Sequence, residues 1–244
     1  MSTLVELMPR TLEEDLSEGI SLEMPQEELS ATRSLDWNLA SFADDQIRGL
    51  VRQIFLSGRK RARQVVFSAI EDETELASLC MSLGQALVRQ DSGTTCVVEA
   101  LPPSKAKGTP EDCNVVPLNY QKRFGVLRDA SLQLSSRLWF MPQRILSDGN
   151  DGKFSPVWLR GRLAELRLEF DYTILQGPAA GMHSEAALLG SLCDGLVLVL
   201  QANSTRRVAA QRAKQMLYAA NARLLGTVLS GRTFPIPKAI YKRL

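Results

Sequence analysis

Four carboxylates occupy one short connection in the sequence, where an apolar run meets a segment with helical spacing. The run Val65–Phe67 reads as a strand, and Leu79, Leu83 and Leu87 recur as one face of a helix. Between them lie Glu71, Asp72, Glu73 and Glu75. In nucleotide-binding α/β proteins such a loop is rich in glycine and carries a lysine that neutralises phosphate charge. This loop has the opposite charge, which argues against a phosphate site.

The acids can instead stabilise the helix themselves. Asp72 and Glu75 have the spacing of a capping box, in which an N-cap acceptor and an acid three residues later satisfy free backbone N–H groups. Their negative charge also suits the positive end of the helix dipole. We therefore interpret the loop as a helix cap, with no catalytic residue among its acids.

Composition excludes several classes of protein. The chain has 244 residues, of which 45% are hydrophobic, enough for one α/β domain with a complete core. No apolar run approaches the roughly 20 residues needed to cross a bilayer, and the first residues lack the features of a signal peptide. Four scattered cysteines and the single His183 show no metal-ligand spacing. We expect a cytoplasmic protein without metal or cofactor.

Charge divides the chain into two parts. Residues 1–36 carry nine acids against Arg10 and Arg33, a net charge of −7 that leaves +9 on the remainder. We predict an acidic, flexible N-terminal tail over residues 1–38 and a folded domain over residues 39–244. A solubilising role for the tail is favoured over loose pairing with the basic domain.

The folded part alternates strands and helices. Helices are predicted over Phe42–Phe55, after Ser155, over Ser184–Leu192 and after Ser204; the last should bury Ala213, Met216 and Leu217. Strands are predicted at Thr95–Leu101, Ser136–Pro142, Phe170–Ala179, Asp194–Asn203 and Ala222–Ser230. This order predicts a three-layer α/β/α fold with a mostly parallel sheet.

Two phrases carry a family resemblance that spans about Asp45 to Leu244. The sequence "FDYTILQGPA" followed by "LLGSLCDGLVLVLQANSTRR", and the ending "LLGTVLSGRTFPIP", resemble the cytoplasmic domain of bacterial tyrosine autokinases (BY-kinases). These belong to the ParA/MinD-like branch of P-loop proteins and control capsular and exopolysaccharide polymerisation and export. The resemblance implies a P-loop NTPase fold.

Aligned on Ser68-Ala69, every charged element of the family's ATP site is altered. The family's Walker A lysine falls on Glu75, and a lysine-to-glutamate change replaces attraction for phosphate by repulsion. The positions that correspond to the family's two glycines, lysine, magnesium-binding hydroxyl, second-strand aspartate and Walker B aspartate are Asp72, Thr74, Glu75, Leu76, Glu99 and Gln176. The resemblance therefore implies a degenerate Walker A motif and a pseudokinase.

The resemblance also bears on partners. The family forms rings through a helical E-x-x-R-x-x-R motif, which this chain matches only in part, and it ends in a tyrosine cluster where this chain has only Tyr241. A possible interaction surface, for partners or a homo-oligomer, comprises Asp45, Arg48, Arg52, Arg59, Lys60, Arg61 and Arg63. The basic part of it is more typical of a solvated connection than of a membrane or nucleic-acid contact.

We hypothesise a non-catalytic regulatory or scaffold protein in exopolysaccharide or capsule synthesis and export. By resemblance, its partner is a polysaccharide chain-length-determinant membrane protein or an intact BY-kinase homologue, which would place the chain at the inner face of the membrane. One alternative is an active autokinase or ATPase with a divergent site. Another is a ParA/MinD-like positioning factor that binds membrane or, less readily, nucleic acid through Arg59–Arg63 and Arg206-Arg207.

Overall fold

Seven strands form one sheet in the computed structural model, which describes residues 39–57, 61–71, 75–100, 126–143, 146 and 155–231. The strands are β1 Gln64–Ala69, β2 Thr95–Glu99, β3 Leu132–Ser135, β4 Leu138–Met141, β5 Tyr172–Gln176, β6 Gly195–Gln201 and β7 Leu224–Ser230. The helices are α1 Leu39–Val51, α2 Glu75–Gln90, α3 Val126–Asp129, α4 Pro156–Glu169, α5 Glu185–Leu192 and α6 Arg207–Ala219. The predicted tail, residues 1–38, lies outside the described residues, so the predicted domain boundary stays a prediction.

The strand order is β3-β4-β2-β5-β1-β6-β7, and every neighbouring pair is parallel except β3 and β4. The central strand β1 is buried along its whole length, because helices cover both faces of the sheet. Val65 and Phe67 pack with α1 and α2, whereas Val66 between them packs with α4, α5 and α6. The predicted three-layer, mostly parallel fold is confirmed.

Some local predictions were wrong. α6 begins after Arg206 and not after Ser204, because Ser204 and Thr205 first form a turn in which both backbone N–H groups bond to the carbonyl of Gln201. Met216 was predicted to face inward but is 43% exposed, since the buried face of α6 is set by Ala213 and Leu217. Ser155 does occupy the N-cap of α4, yet its side chain makes no capping hydrogen bond.

The first predicted helix changes its geometry near its end. After α1 the chain forms a π-helical turn over Arg52–Leu56, closed by the N–H of Ser57 on the carbonyl of Arg52 at 2.7 Å. The turn keeps Phe55 fully buried against the edge of the Tyr172 ring, at 5.9 Å between ring centroids. Within the described part of the chain, no helix is both long and apolar enough to cross a membrane.

Candidate functional site

Three central strands bring the predicted site positions together where the carboxyl ends of the strands lie side by side, which we call the carboxyl edge of the sheet. Gln176 ends β5 and is paired with Phe67 of β1 on one side and with Glu99 of β2 on the other. The N–H of Ala100 bonds to the carbonyl of Gln176 at 2.9 Å and holds the end of β2 against β5. Because ligands of open parallel sheets bind beyond the carboxyl ends of the strands, this edge is the candidate site.

The side chains at this edge offer little charge for a ligand. Gln176 is buried and carries a neutral amide. Burial raises the pKa of the Glu99 carboxyl above its usual range, so the site disfavours the ionised form that a metal would need. Among the described residues, no group of three or more His, Cys, Asp and Glu side chains could hold a metal ion.

The chain that follows β5 closes over the end of β1. The N–H groups of Gly177, Ala180 and Gly181 bond to the carbonyls of Phe67, Ala69 and Ile70, at 2.8, 2.7 and 3.0 Å. The hydroxyl of Ser68 donates to the carbonyl of Pro178. Residues 177–181, which we call the β5 segment, therefore satisfy the carbonyl groups at the end of β1 and leave Ile70 only 2% exposed.

The connection from β1 to α2 is partly described. α2 begins at Glu75, and Leu76 in its first turn is buried, so the position carries neither a hydroxyl nor access to solvent. Asp72 and Thr74 lie outside the described residues, as does the predicted capping box. Glu71, just before them, is exposed.

An open cleft of 730 Å³ lies beside this connection, at the start of α6. Two arginines, Arg206 and Arg212, give it positive charge, and Glu71 is its acidic member. Its lining residues are Glu71, Ser204, Arg206, Val208, Ala209 and Arg212. Arg212 was not predicted as a site residue; its only signal in the sequence is its position four residues after Val208 in the first turns of a helix.

The predicted interaction surface is partly engaged within the chain. Arg48 pairs with Asp44 and, at 3.6 Å, with Asp45, while the guanidinium of Arg52 donates to the side chain of Gln90 at 2.9 Å. The guanidinium of Arg63 donates to the carbonyl of Asp171 at 3.0 Å. Arg59 and Lys60 lie outside the described residues, and Arg61 is exposed. Arg63 is exposed as well, and its guanidinium also holds the chain before β5.

The amino ends of β1 and β6 hold an ion-pair network that was not predicted. One carboxylate oxygen of Asp194 accepts the backbone N–H groups of Arg63 and Gln64 at 2.7 and 2.8 Å, and the other pairs with Arg167 at 2.7 Å. Arg167 in turn donates to the side chain of Gln64 at 2.7 Å. This network fixes α4 and β6 to the amino end of β1 and has a structural role.

No family model matches the chain. The "Tyrosine-protein kinase CpsD" of Streptococcus agalactiae is 25% identical over 200 residues, which cover 78% of this chain and 84% of that protein. The "Tyrosine-protein kinase YwqD" of Bacillus subtilis is 30% identical over 78 residues, 32% of this chain and 33% of that protein.

Solved structures share the fold at low sequence identity. The BceF tyrosine kinase domain matches with a TM-score of 0.56 and 15% identity over 82% of this chain and 80% of that one. MinD of Aquifex aeolicus matches with a TM-score of 0.51 and 15% identity over 75% and 73%. The chain is homologous to the tyrosine kinases CpsD and YwqD, and its fold is that of the ParA/MinD-like P-loop proteins.

Proposed function

We propose that this chain is a non-catalytic regulatory or scaffold protein in capsule or exopolysaccharide synthesis and export, built on a kinase-like domain that has lost its nucleotide site. Its relatives are named tyrosine kinases. In this proposal the chain acts in the same process but does not transfer phosphate. Function then resides in the surface of the domain and not in its nucleotide site.

One observation carries the proposal: β1, the connection after it and the first turns of α2 contain no cation, although a phosphate would bind there. Residues 64–88 hold neither lysine nor arginine, whereas Glu71, Asp72, Glu73 and Glu75 fall within five positions. At about 4 Å, two like unit charges repel by about 4 kcal/mol at an effective dielectric of 20. A triphosphate would meet that repulsion without a lysine or a glycine-rich nest to offset it.

The neighbouring strand ends support the same conclusion. With Gln176 at the Walker B position and the pKa of Glu99 raised by burial, magnesium finds no pair of ionised carboxylates there. The lysine, the metal ligands and the glycine-rich loop would all have to be restored together for phosphoryl transfer.

Isothermal titration calorimetry of the purified full chain with ATP and magnesium tests the proposal. We expect no saturable heat even at millimolar nucleotide, and no thermal shift, because a ligand stabilises a protein only through its affinity for the folded state. Saturable, magnesium-dependent binding in the micromolar range would overturn the non-catalytic assignment.

An active tyrosine autokinase or ATPase with a divergent site is the second candidate. The observation that favours it is the extent of the match to CpsD, which covers 84% of that kinase. Incubation of the purified chain with radiolabelled ATP distinguishes the two, since an active kinase transfers the terminal phosphate to tyrosine and a scaffold does not. A catalytically dead relative prepared in the same way provides the background.

We further propose that the partner is a polysaccharide chain-length-determinant membrane protein or an intact homologous kinase. An affinity pull-down from native cells should recover one of them, and reversing the charge of Arg59, Lys60 and Arg61 should weaken its recovery. Arg63 is left unchanged because its guanidinium holds the carbonyl of Asp171. Arg160→Glu, an exposed charge reversal on α4, is the matched control. Recovery of soluble metabolic enzymes alone would contradict the proposal.

A further inference from the structure

The outward face of α4 is apolar, although it points away from the sheet. Val157 is 82% exposed and Leu168 is 71% exposed. Gly161 and Ala164, which lie between them on this face, are exposed as well. Within α4, which the structure describes in full, no charged side chain interrupts these four residues, which we call the α4 stripe. The opposite face of the helix packs into the core, and a helix that is apolar on both faces is expected to be covered on both.

The α4 stripe has the spacing of a seam between two helices. Its members are four, three and four residues apart, which is the alternation of the d and a positions of a heptad. With a rise of about 1.5 Å per residue, Val157 and Leu168 lie about 16 Å apart along the helix. Between them, Gly161 and Ala164 have short side chains, and a Cβ at Gly161 would have no atom within 4 Å. The stripe is therefore open over about three turns and can accept a second helix.

The charges beside the stripe fit a second copy of the same chain. Arg160 lies along one side of the stripe, and Glu165, five residues later, lies along the other. In a parallel pair of helices these positions face each other, so each Arg160 would meet Glu165 of the second copy. In an antiparallel pair, Arg160 would instead lie against Arg167 of the second copy, a like charge. Glu165 pairs with Arg162 at 2.8 Å but stays 40% exposed, and an ionised carboxylate can accept a further donor.

We propose that two copies of the chain associate through the α4 stripe with their α4 helices parallel. Each level of the contact then joins identical residues, Val157 to Val157 at one end and Leu168 to Leu168 at the other. The exposed pairs of Arg160 with Glu165 add little affinity and mainly set the orientation. Because one short helix from each copy forms the contact, the association is weak and reversible. It lies on the other face of the sheet from α1, so it leaves that helix open to other partners.

Sedimentation equilibrium of the purified full chain tests the association. We expect a monomer–dimer equilibrium in which the dimer fraction rises with protein concentration. Val157→Glu should raise the dissociation constant about tenfold or more, because it buries an unpaired charge in the contact. Val208→Glu, the same change at a valine of α6 that is 57% exposed, is the matched control and should leave the constant unchanged. Urea unfolding checks that both variants fold. A chain that stays monomeric at every concentration, or an equal effect of the two changes, would overturn the proposal.

The side charges separate this contact from the proposed function. Arg160→Glu places a like charge opposite Glu165 of the second copy, so it should weaken the dimer a few-fold. The same change should leave recovery of the membrane protein or homologous kinase unchanged, because that partner is proposed to bind through another surface. No effect of Arg160→Glu on the dimer would contradict the parallel arrangement. None of these outcomes depends on nucleotide binding.

Single cysteines test the parallel arrangement directly. Under mild oxidation, Val157→Cys should form disulfide-linked dimers on its own, and so should Leu168→Cys, because each position meets itself in a parallel pair. In an antiparallel pair, identical positions would lie about 16 Å apart, and only a mixture of the two variants would cross-link. Val208→Cys gives the rate of random collision, and the unmodified chain gives that of the native cysteines. Cross-linking of the mixture alone, or no faster than that of Val208→Cys, would overturn the proposal.

Discussion

Gly181→Ala tests whether the β5 segment packs closely against the end of β1. A methyl group at this position would lie 2.5 Å from the carbonyl oxygen of Ile70 and 3.2 Å from its Cγ2. The same carbonyl accepts the N–H of Gly181 at 3.0 Å, so the two backbones are already in contact. Because the obstacle is backbone, no change of rotamer relieves the overlap.

The expected cost follows from that geometry. Forcing an extra methyl into a packed contact typically costs about 1–3 kcal/mol, and here the strand end or the β5 segment must shift to make room. We expect the free energy of unfolding in urea to fall by that amount, with an unchanged dependence on denaturant concentration. Hydrogen exchange at the N–H groups of Ala180 and Gly181 should also accelerate.

Gly161→Ala is the control for the substitution itself. Gly161 lies in α4, and a methyl group there would have no atom within 4 Å. Alanine in a helix interior is about 0.5–1 kcal/mol more stable than glycine, so this variant should gain stability. If Gly181→Ala is as stable as Gly161→Ala, the β5 segment does not approach Ile70 as closely as described, and the end of β1 is not tightly packed.

Three further changes probe the ionisable groups of the domain. Burial acts to raise the pKa of Asp194, but the N–H of Gln64 and the guanidinium of Arg167 outweigh it and hold the pKa below its usual range. The ionised carboxylate therefore stabilises the fold at neutral pH; urea unfolding should show that Asp194→Asn costs about 1–3 kcal/mol at pH 7 and that the difference shrinks below about pH 4. Glu99 has the opposite sign, because its raised pKa means that ionisation costs stability; in thermal melts Glu99→Gln should be more stable than the unmodified chain at pH 7 and equal to it near about pH 4. Glu75→Lys should not give ATP binding in calorimetry, since Asp72, Thr74 and Gln176 remain unsuited to phosphate and magnesium.

The main layers of the fold were predictable because the central strands are covered on both faces. Runs such as Val65–Phe67 and the strand that became β6 are continuous apolar segments, which in a domain of this size indicate buried parallel strands. The strand-to-helix alternation then restricts the topology to a parallel sheet between helical layers. The start of α4 at Pro156 was predictable for a local reason, because proline suits the first turn of a helix.

Elements that depend on distant contacts were not predictable. β3 was not predicted, although Leu132 and Leu134 alternate with polar residues; all four of its residues are exposed, so this alternation does not mark a buried face. The π-helical turn at Arg52–Leu56 depends on one backbone bond to Ser57 that no residue type signals. α6 starts later than predicted because Thr205 accepts the N–H of Gln201 at 2.9 Å and stabilises a turn first.

The candidate site was predicted only as a set of positions, and the sequence could not show how they are arranged. Glu99 and Gln176 are far apart in sequence, and only the strand order places them side by side. Residues 177–179 of the β5 segment were predicted as the end of a strand, since hydrogen bonds between residues more than 100 positions apart leave no local pattern. Arg212 acquires its place in the cleft only when α6 packs beside the end of β1.

The pairing of Glu99 with Gln176 is consistent with the proposed loss of the nucleotide site. Directly opposite side chains on neighbouring strands lie about 5 Å apart, so a carboxylate at position 176 would face Glu99 as a like charge. Burial already raises the pKa of Glu99, and a second carboxylate would raise it further unless a cation lay between them. A nucleotide site would supply that cation as magnesium held with phosphate, and under our proposal the acidic β1–α2 connection disfavours phosphate. A neutral amide at position 176 therefore avoids repulsion with Glu99 when no ion is bound.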